Sequence, residues 1–219
     1  MKLWLDTGSL KEIEEINRWG MLSGCTTNPS LIGKEKKPFE THLKEIAAEV
    51  DGPVSGEVVA TDKDGMVEEG LKLAAIAPNI VVKCPVTPDG FAAVKELGRQ
   101  GLKTNMTLCF SPNQALLAAE VGATYISPFL GRVDDISSDG LALLAEIVEV
   151  YRAQGYATQV LAASLRHPQH VVEAAKIGAD VATMPFDVFS KLANHPLTDI
   201  GLKRFLDDWN KYQEALKGE

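Results

Sequence analysis

The stretch Val121-Gly122-Ala123-Thr124 and its near copy Ile177-Gly178-Ala179-Asp180 each stand between a segment with helical spacing and a short apolar run. Glycine accepts the left-handed backbone that closes many helices, so each stretch predicts a helix that ends and a strand that begins. On both sides of these stretches, short β-branched runs alternate with longer amphipathic segments. Strand followed by helix, repeated many times, predicts a parallel sheet.

Eight short runs have the composition of buried strands. They lie at 3–6, 24–27, 54–60, 80–85, 104–109, 124–127, 159–163 and 181–184. Eight strand–helix units with short connections in 219 residues favour an α/β fold, a closed (β/α)8 TIM barrel, over an open doubly wound sheet. Because no Ser/Gly/Pro-rich linker divides the chain, we expect a single domain over residues 1–219.

A further helix is predicted at 198–216, beyond the eighth unit, with Thr198 as a candidate N-cap. Its apolar face carries Leu202, Phe205, Leu206, Trp209 and Tyr212. Aromatic rings on such a face need a surface to cover them. Two interpretations stay open, packing on the chain's own barrel and packing on a neighbouring subunit.

The composition limits the partners. Lys and Arg number 22 against 30 Asp and Glu, a net charge of -8 that disfavours attraction to nucleic acid or to anionic membranes. Asp6 interrupts any apolar leader, and no stretch approaches the length of a membrane span. Three cysteines without C-x-x-C spacing fit a reducing cytoplasm. An anionic ligand would need a local cluster of positive groups.

Lys83 is the most informative residue, because it stands inside the apolar strand Ile80-Val81-Val82-Lys83-Cys84-Pro85. Desolvation favours the neutral amine, which can attack a carbonyl carbon to form a Schiff base. The alternative is a lysine whose stem is buried and whose ammonium reaches solvent at the end of the strand.

Other polar side chains stand where a barrel strand is normally apolar. Asp6 ends the first strand, and Glu57 lies among apolar neighbours in the third. Asn105 and Thr107 share one face of the fifth strand. Two interpretations of this polar face stay open, an active site in the barrel mouth and a pair of core residues with satisfied hydrogen bonds. Barrel chemistry takes place where the strands end, so these residues are candidates for it.

Two arginines are candidates for an anion site. Arg132 follows the sixth strand, and Arg166 follows the seventh together with Ser164. The guanidinium fork matches phosphate oxygens, and late barrel loops often bind phosphate. His167 and His170 have i,i+3 spacing but no third ligand nearby in the sequence, so we expect no metal site. The acidic pair Asp134-Asp135 is interpreted as a solvated loop or a helix N-terminus.

Several motifs together resemble the transaldolase family, and most closely its short, single-domain branch, which also includes fructose-6-phosphate aldolase. The motifs are Leu5-Asp6-Thr7, Thr26-Thr27-Asn28-Pro29-Ser30, Val81-Val82-Lys83-Cys84-Pro85, Ser127-Pro128-Phe129 with Gly131-Arg132, and Ala162-Ala163-Ser164. They follow the family order along essentially the whole chain, up to the HPLTD stretch at 195–199.

The resemblance implies roles for individual residues. Lys83 matches the Schiff-base lysine, Asp6 the general acid/base, and Glu57 with Thr107 the pair that positions a catalytic water. Side chains that match substrate-binding residues are Asn28, Asn105 and Ser127 for the dihydroxyacetone portion and Arg132, Ser164 and Arg166 for the phosphate. Fructose-6-phosphate aldolases usually carry Gln at the position of Glu57 and Tyr at that of Phe129, so the residue types here favour transaldolase.

The implied reaction moves a dihydroxyacetone unit from fructose 6-phosphate or sedoheptulose 7-phosphate to erythrose 4-phosphate or glyceraldehyde 3-phosphate, within the non-oxidative pentose phosphate pathway. The iminium is the electron sink, so we expect neither a metal nor an organic cofactor. The alternatives are an aldolase that releases free dihydroxyacetone and a non-catalytic barrel that binds sugar phosphates. The resemblance also implies a homo-oligomer, a pentamer or decamer, with the C-terminal helix crossing to a neighbour.

Overall fold

The computed structural model describes residues 1–217, in which eight parallel strands close into a barrel. The strands are β1 Lys2–Asp6, β2 Cys25–Thr26, β3 Val54–Glu57, β4 Ile80–Pro85, β5 Thr104–Cys109, β6 Tyr125–Pro128, β7 Gln159–Ala162 and β8 Val181–Met184. Each strand pairs with the next along the chain, and β1 closes the ring against β8. The predicted (β/α)8 barrel is therefore confirmed.

Helices follow the strands and surround the barrel. They are α1 Leu10–Arg18, α2 Pro29–Gly33, α3 Phe39–Glu49, α4 Lys63–Ala74, α5 Pro88–Arg99, α6 Pro112–Glu120, α7 Leu130–Asp134, α8 Gly140–Gln154, α9 Pro168–Ile177, α10 Phe186–Lys191 and α11 Pro196–Lys217. Gly178 ends α9 in the left-handed conformation, and Gly122 adopts it just after α6, as predicted. No helix among residues 1–217 is long and apolar enough to cross a membrane.

Four of the helices begin in the same way, with a capping side chain followed by proline. The capping residues are Asn28, Thr87, Ser111 and His167, and in each case the side chain accepts a hydrogen bond from a backbone N–H in the first turn. Proline suits the first helical position, where its missing N–H leaves no hydrogen bond unmade. The caps fix where each chain segment leaves the barrel mouth and turns into its helix.

Alternation along the strands divides the apolar side chains between two layers. Trp4, Val81, Tyr125, Leu161 and Val181 fill the barrel interior, while their neighbours face the helices. Successive residues on one face of a strand are two apart, so Trp4 lies beneath Asp6 and Val81 beneath Lys83. The polar side chains at the ends of the strands therefore lie directly above a layer of apolar side chains in the barrel interior.

The bounds of seven strands agree with the sequence prediction to within one residue at each end, whereas β3 is shorter than predicted and β5 is irregular. β3 ends at Glu57 and not at residue 60, because the backbone N–H groups of Val59 and Ala60 donate to the Glu69 carboxylate on α4 and leave the sheet. In β5 the register shifts after Met106. Leu108 has a φ of 61° and is exposed at the barrel mouth, so the predicted alternation stops there.

The C-terminal helix α11 is present but has no buried residue. It begins at Pro196, two residues before the predicted start. The His195 ring accepts a hydrogen bond from the backbone N–H of Leu197, so Thr198 is not the cap. Phe205 and Trp209 are 72% and 57% exposed, and the barrel of the same chain does not cover them.

Candidate active site

A cavity of about 260 Å³ opens where the strands end. Ten of the eleven predicted site residues line it: Asp6, Asn28, Lys83, Asn105, Thr107, Ser127, Phe129, Arg132, Ser164 and Arg166. The eleventh, Glu57, lines an adjoining cavity that also reaches Asp6, Lys83 and Thr107. Residues from seven of the eight strands or the turns after them therefore meet in one place, with Glu57 at its edge.

Lys83 is the centre of this arrangement and is 5% exposed. Its Nζ donates to the backbone carbonyl of Thr27 at 2.5 Å and lies 3.0 Å from Glu57 Oε2. The pairing of β3 with β4 places Glu57 directly opposite Lys83. The amine is held inside the barrel by two acceptors, which excludes the interpretation of a lysine whose ammonium reaches bulk solvent.

Asp6 is held by a chain of hydroxyl groups. Thr26 Oγ1 donates to Asp6 Oδ1 at 2.7 Å and lies 2.7 Å from Thr183 Oγ1. Burial raises the pKa of the Asp6 carboxyl, the hydrogen bond from Thr26 and the charge of Lys83 lower it, and Glu57 raises it again. A carboxyl whose protonated form is favoured in this way is suited to proton transfer.

The amide of Asn105 joins three strands. It donates from Nδ2 to Ser55 Oγ at 3.2 Å, and its Oδ1 accepts from Ser127 Oγ at 2.7 Å. The Asn105 amide is thus hydrogen-bonded to its neighbours, and both Asn105 and Thr107 line the cavity. Asn28 uses Oδ1 to cap α2 through the N–H of Leu31, which leaves its Nδ2 group available to a ligand.

The cationic end of the cavity is built from the turns after β6 and β7. The Arg132 guanidinium lies 5.8 Å from the centre of the Phe129 ring. Arg166 Nη2 lies 2.7 Å from Asp135 Oδ2, and both side chains are partly exposed. Ser164 has a φ of 58°, a conformation that costs free energy in any residue with a Cβ. Two guanidinium groups therefore reach the same cavity.

The two turns meet at Gly131. A Cβ at this position would lie 2.4 Å from the Ser164 carbonyl oxygen and 2.5 Å from Arg166 Nε. The N–H of Gly131 donates to that carbonyl at 3.0 Å. Only glycine lets the backbone of α7 lie this close to the turn after β7.

A family comparison agrees with this geometry. The family described as Transaldolase/Fructose-6-phosphate aldolase matches residues 3–217. The chain belongs to this family. A relative from Petrotoga mobilis, named "Probable transaldolase", is 53% identical over 100% of this chain and 99% of its own length. Another of that name, from Thermus thermophilus, is 59% identical over 96% of this chain and 99% of its own length.

Solved structures outside the transaldolase family share the barrel. Thiamine phosphate pyrophosphorylase from Pyrococcus furiosus matches 84% of this chain and 85% of its own, with a TM-score of 0.57 and 18% identity. Inosine 5'-monophosphate dehydrogenase from Legionella pneumophila matches 85% of this chain and 58% of its own, with a TM-score of 0.61 and 11% identity. At these identities the likeness concerns the fold alone.

Some contacts of the transaldolase-family site are missing from the sequence prediction. The hydroxyl chain through Thr26 and Thr183 reaches Asp6 from two strands. Thr26 stands in a motif that the family resemblance already singles out, whereas Thr183 lies in an apolar run without any local signal. Asp134 and Asp135 are exposed, as the interpretation of a solvated pair predicts, but they stand at the C-terminal end of α7 and not at a helix N-terminus, and they contact His170 and Arg166.

None of the histidine and cysteine side chains among residues 1–217 lines the cavity. The rings of His167 and His170 lie 3.8 Å apart behind the turn after β7. Among residues 1–217, no group of three His, Cys, Asp or Glu side chains is placed to hold a metal ion. Burial raises the pKa of each thiol, in Cys25, Cys84 and Cys109, to about 12, so none is a thiolate at neutral pH.

Proposed function

We propose that this member of the family is a transaldolase that moves a dihydroxyacetone unit between sugar phosphates through a Schiff base on Lys83. The observation that carries the proposal is the buried Lys83 amine, 3.0 Å from the Glu57 carboxylate and in one cavity with Asp6 and two arginines. The names of the similar proteins support the same reaction class.

Formation of the Schiff base begins with proton transfer from Lys83. The Glu57 carboxylate lies within reach of Nζ and takes this proton, which leaves a neutral amine. The amine attacks the C2 carbonyl carbon of the ketose phosphate, and a proton passes from the nitrogen to the former carbonyl oxygen to give the carbinolamine. Glu57 then returns its proton to the carbinolamine hydroxyl, which leaves as water and gives the iminium. Thr107 lines both cavities at this point and holds the leaving or attacking water.

Cleavage of the carbon–carbon bond is assigned to Asp6. Its carboxylate accepts the proton of the C4 hydroxyl, the C3–C4 bond breaks, and the electron pair moves into the iminium to give an enamine. The aldose phosphate leaves. In the second half, the enamine attacks the aldehyde of the acceptor, and Asp6 returns the proton to the new hydroxyl. Hydrolysis of the iminium frees the product and Lys83.

The phosphate end of the substrate is assigned to Arg132, Arg166 and Ser164. Arginine binds phosphate oxygens through paired hydrogen bonds, and two guanidinium groups offset the net charge of -8 in one place. Arg166 Nη2 lies 2.7 Å from Asp135 Oδ2, so a phosphate would compete with this carboxylate for the guanidinium group. The dihydroxyacetone end is assigned to Asn28, Asn105 and Ser127, with Phe129 beside them.

We further propose that the enzyme acts in the cytoplasm, in the non-oxidative pentose phosphate pathway.

Borohydride trapping tests the Schiff base. Reduction in the presence of fructose 6-phosphate should convert the iminium into a stable secondary amine, and the added mass should map to Lys83. Lys83→Met should abolish the label, whereas Lys72→Met, on an exposed surface of α4, should retain it. A label on another residue, or no label on the folded wild-type protein, would exclude the mechanism.

Product analysis separates transaldolase from aldolase. With fructose 6-phosphate and no acceptor aldehyde, we expect little free dihydroxyacetone, and with erythrose 4-phosphate we expect sedoheptulose 7-phosphate. Rapid release of dihydroxyacetone without an acceptor would instead identify the aldolase activity. The residue types of Glu57 and Phe129 favour the first outcome.

A further inference from the structure

His170 lies behind the cationic end of the cavity and has no part in the proposed chemistry. It is 5% exposed, and its Nδ1 accepts a hydrogen bond from the backbone N–H of Arg166 at 3.3 Å. Its Nε2 lies 3.1 Å from Asp134 Oδ2. Since Nδ1 must be unprotonated to accept, the ring proton sits on Nε2 and is donated to Asp134. One neutral ring thus connects the turn after β7 to the end of α7.

The carboxylate of Asp134 is itself fixed. Its Oδ1 accepts the backbone N–H of Gly140, the first residue of α8, at 2.8 Å. With one oxygen held by α8, the other defines the position and tautomer of the His170 ring. Arg132 stands two residues before Asp134 on the same short helix. The histidine therefore links the segments that carry the two arginines.

The segment that His170 holds is strained. Ser164 adopts a left-handed φ of 58° two residues before Arg166, and the residue lines the cavity. A residue with a Cβ keeps such a conformation only where its surroundings impose it. The hydrogen bond to the Arg166 N–H supplies a constraint just beyond the strained residue.

Burial lowers the pKa of His170, as do the charges of His167 and Arg166, whereas Asp134 raises it. The balance favours the neutral ring that the hydrogen bonds require. His170 also packs into the protein beneath the turn and does not line the cavity, so it can act only through the segment that it holds.

We propose that His170 is a positioning residue for phosphate recognition, because its Nδ1 acceptor holds the turn that presents Ser164 and Arg166 to the anion. The inference rests on the proposed function in one respect only, that the anion is the phosphate of a sugar phosphate.

Two substitutions separate the Nδ1 contact from general packing. In His170→Asn the side-chain oxygen stands near the position of Nδ1, so an acceptor for the Arg166 N–H remains. In His170→Gln the amide nitrogen stands near the position of Nε2, so the contact with Asp134 remains and the acceptor is lost. Both variants remove the ring, so a purely structural role would affect them alike.

The kinetic expectation is a change in KM without a change in kcat. His170→Gln should raise the KM for fructose 6-phosphate about tenfold, the size expected when an N–H loses its partner, with kcat within about threefold of wild type. His170→Asn should keep both constants within about threefold of wild type. Equal impairment of the two variants, or wild-type KM values in both, would overturn the inference.

A binding measurement keeps this inference separable from the proposed function. Inorganic phosphate should raise the Tm of the wild-type and His170→Asn proteins, since a ligand that binds the native state stabilises it, and should raise that of His170→Gln much less. If this pattern appears in a protein that transfers no dihydroxyacetone, the proposed function fails and the positioning role stands. If transfer is observed and phosphate raises all three Tm values equally, the positioning role fails.

Discussion

The ionised Asp6 carboxyl is required by the proposed reaction but lowers the stability of the folded protein. The carboxyl must be ionised to accept a proton during cleavage, yet burial raises its pKa and so penalises the ionised form. A group whose pKa is raised in the folded protein lowers stability as the pH rises from its ordinary pKa, about 4, through its folded value. The stabilising contribution of the protonated form is complete below that range and absent above it.

Asp6→Asn should therefore raise the Tm at pH 8, because asparagine keeps an oxygen for Thr26 and carries no charge to bury. The difference from wild type should shrink as the pH falls toward 5. Activity should fall by about 100- to 10,000-fold, as expected for loss of a general acid/base. Thermal unfolding at both pH values and a transfer assay measure these effects.

Asp64→Asn, at a carboxylate that is 91% exposed, is the control and should change neither property. A lower Tm for Asp6→Asn at pH 8 would show that burial of the ionised Asp6 carboxyl does not destabilise the folded protein.

Sequence alone selects candidate site residues where a single strand carries the signal. Lys83 and Glu57 interrupt apolar runs, so local sequence is enough to select them. Thr183 stands in the run Val-Ala-Thr-Met, and its partner Thr26 is 157 residues away, so only the closed barrel brings them together. Long-range hydrogen bonds of this kind leave no local pattern.

At the scale of elements, α7 and the turn after β7 pack at a distance that only glycine permits. A Cβ at Gly131 would overlap the Ser164 carbonyl and the Arg166 side chain. These atoms belong to the cationic end of the cavity, so relief of the overlap must move groups that the proposed mechanism uses. Packing between two elements and geometry at the anion site are therefore coupled.

Gly131→Ala should cost about 1–3 kcal/mol of unfolding free energy and raise the KM for fructose 6-phosphate by about tenfold or more. Denaturant unfolding and steady-state kinetics measure the two effects. Gly98→Ala is the matched control, because a Cβ there has no neighbour within 4 Å and the residue lies in α5. The control should gain up to about 1 kcal/mol and keep its KM. Unchanged kinetics in Gly131→Ala would show that the turn tolerates displacement.

The ends of the strands can be predicted from the sequence only where local composition determines them. β4 is predicted residue for residue, because Ile80 and Pro85 bound a run that is apolar except at Lys83. β3 is predicted three residues too long, since the run after Glu57 is apolar but its amides are taken by Glu69 from the next helix. A carboxylate ten residues away thus ends a strand that composition alone would continue.

At the scale of the whole molecule, the apolar face of α11 is not covered by any other part of the described chain. Its 22 residues include apolar side chains that are all exposed, among them Leu197, Phe205 and Trp209. An exposed apolar stripe of this size is typical of a surface that contacts another protein. We propose that a neighbouring copy of the chain covers it, in a pentamer or decamer.

Light scattering at micromolar concentration should give a mass several times that of one chain. The double variant Phe205→Ser and Trp209→Ser should reduce the mass, because it removes two large apolar side chains from the stripe. Lys211→Ser, on the same helix and exposed, should leave the assembly unchanged. A monomeric wild-type protein would refute the proposed assembly.

Closure of the barrel also has a consequence for biosynthesis. Lys2 in β1 pairs with Val181 in β8, so one edge of the first strand stays unpaired until the last strand has been made. Until then, a nascent chain presents an open sheet edge of the kind that pairs with other chains. Contacts between distant parts of a sequence also form slowly. The Asp6 environment, which needs Thr183, therefore exists only after the ribosome has made nearly the whole barrel.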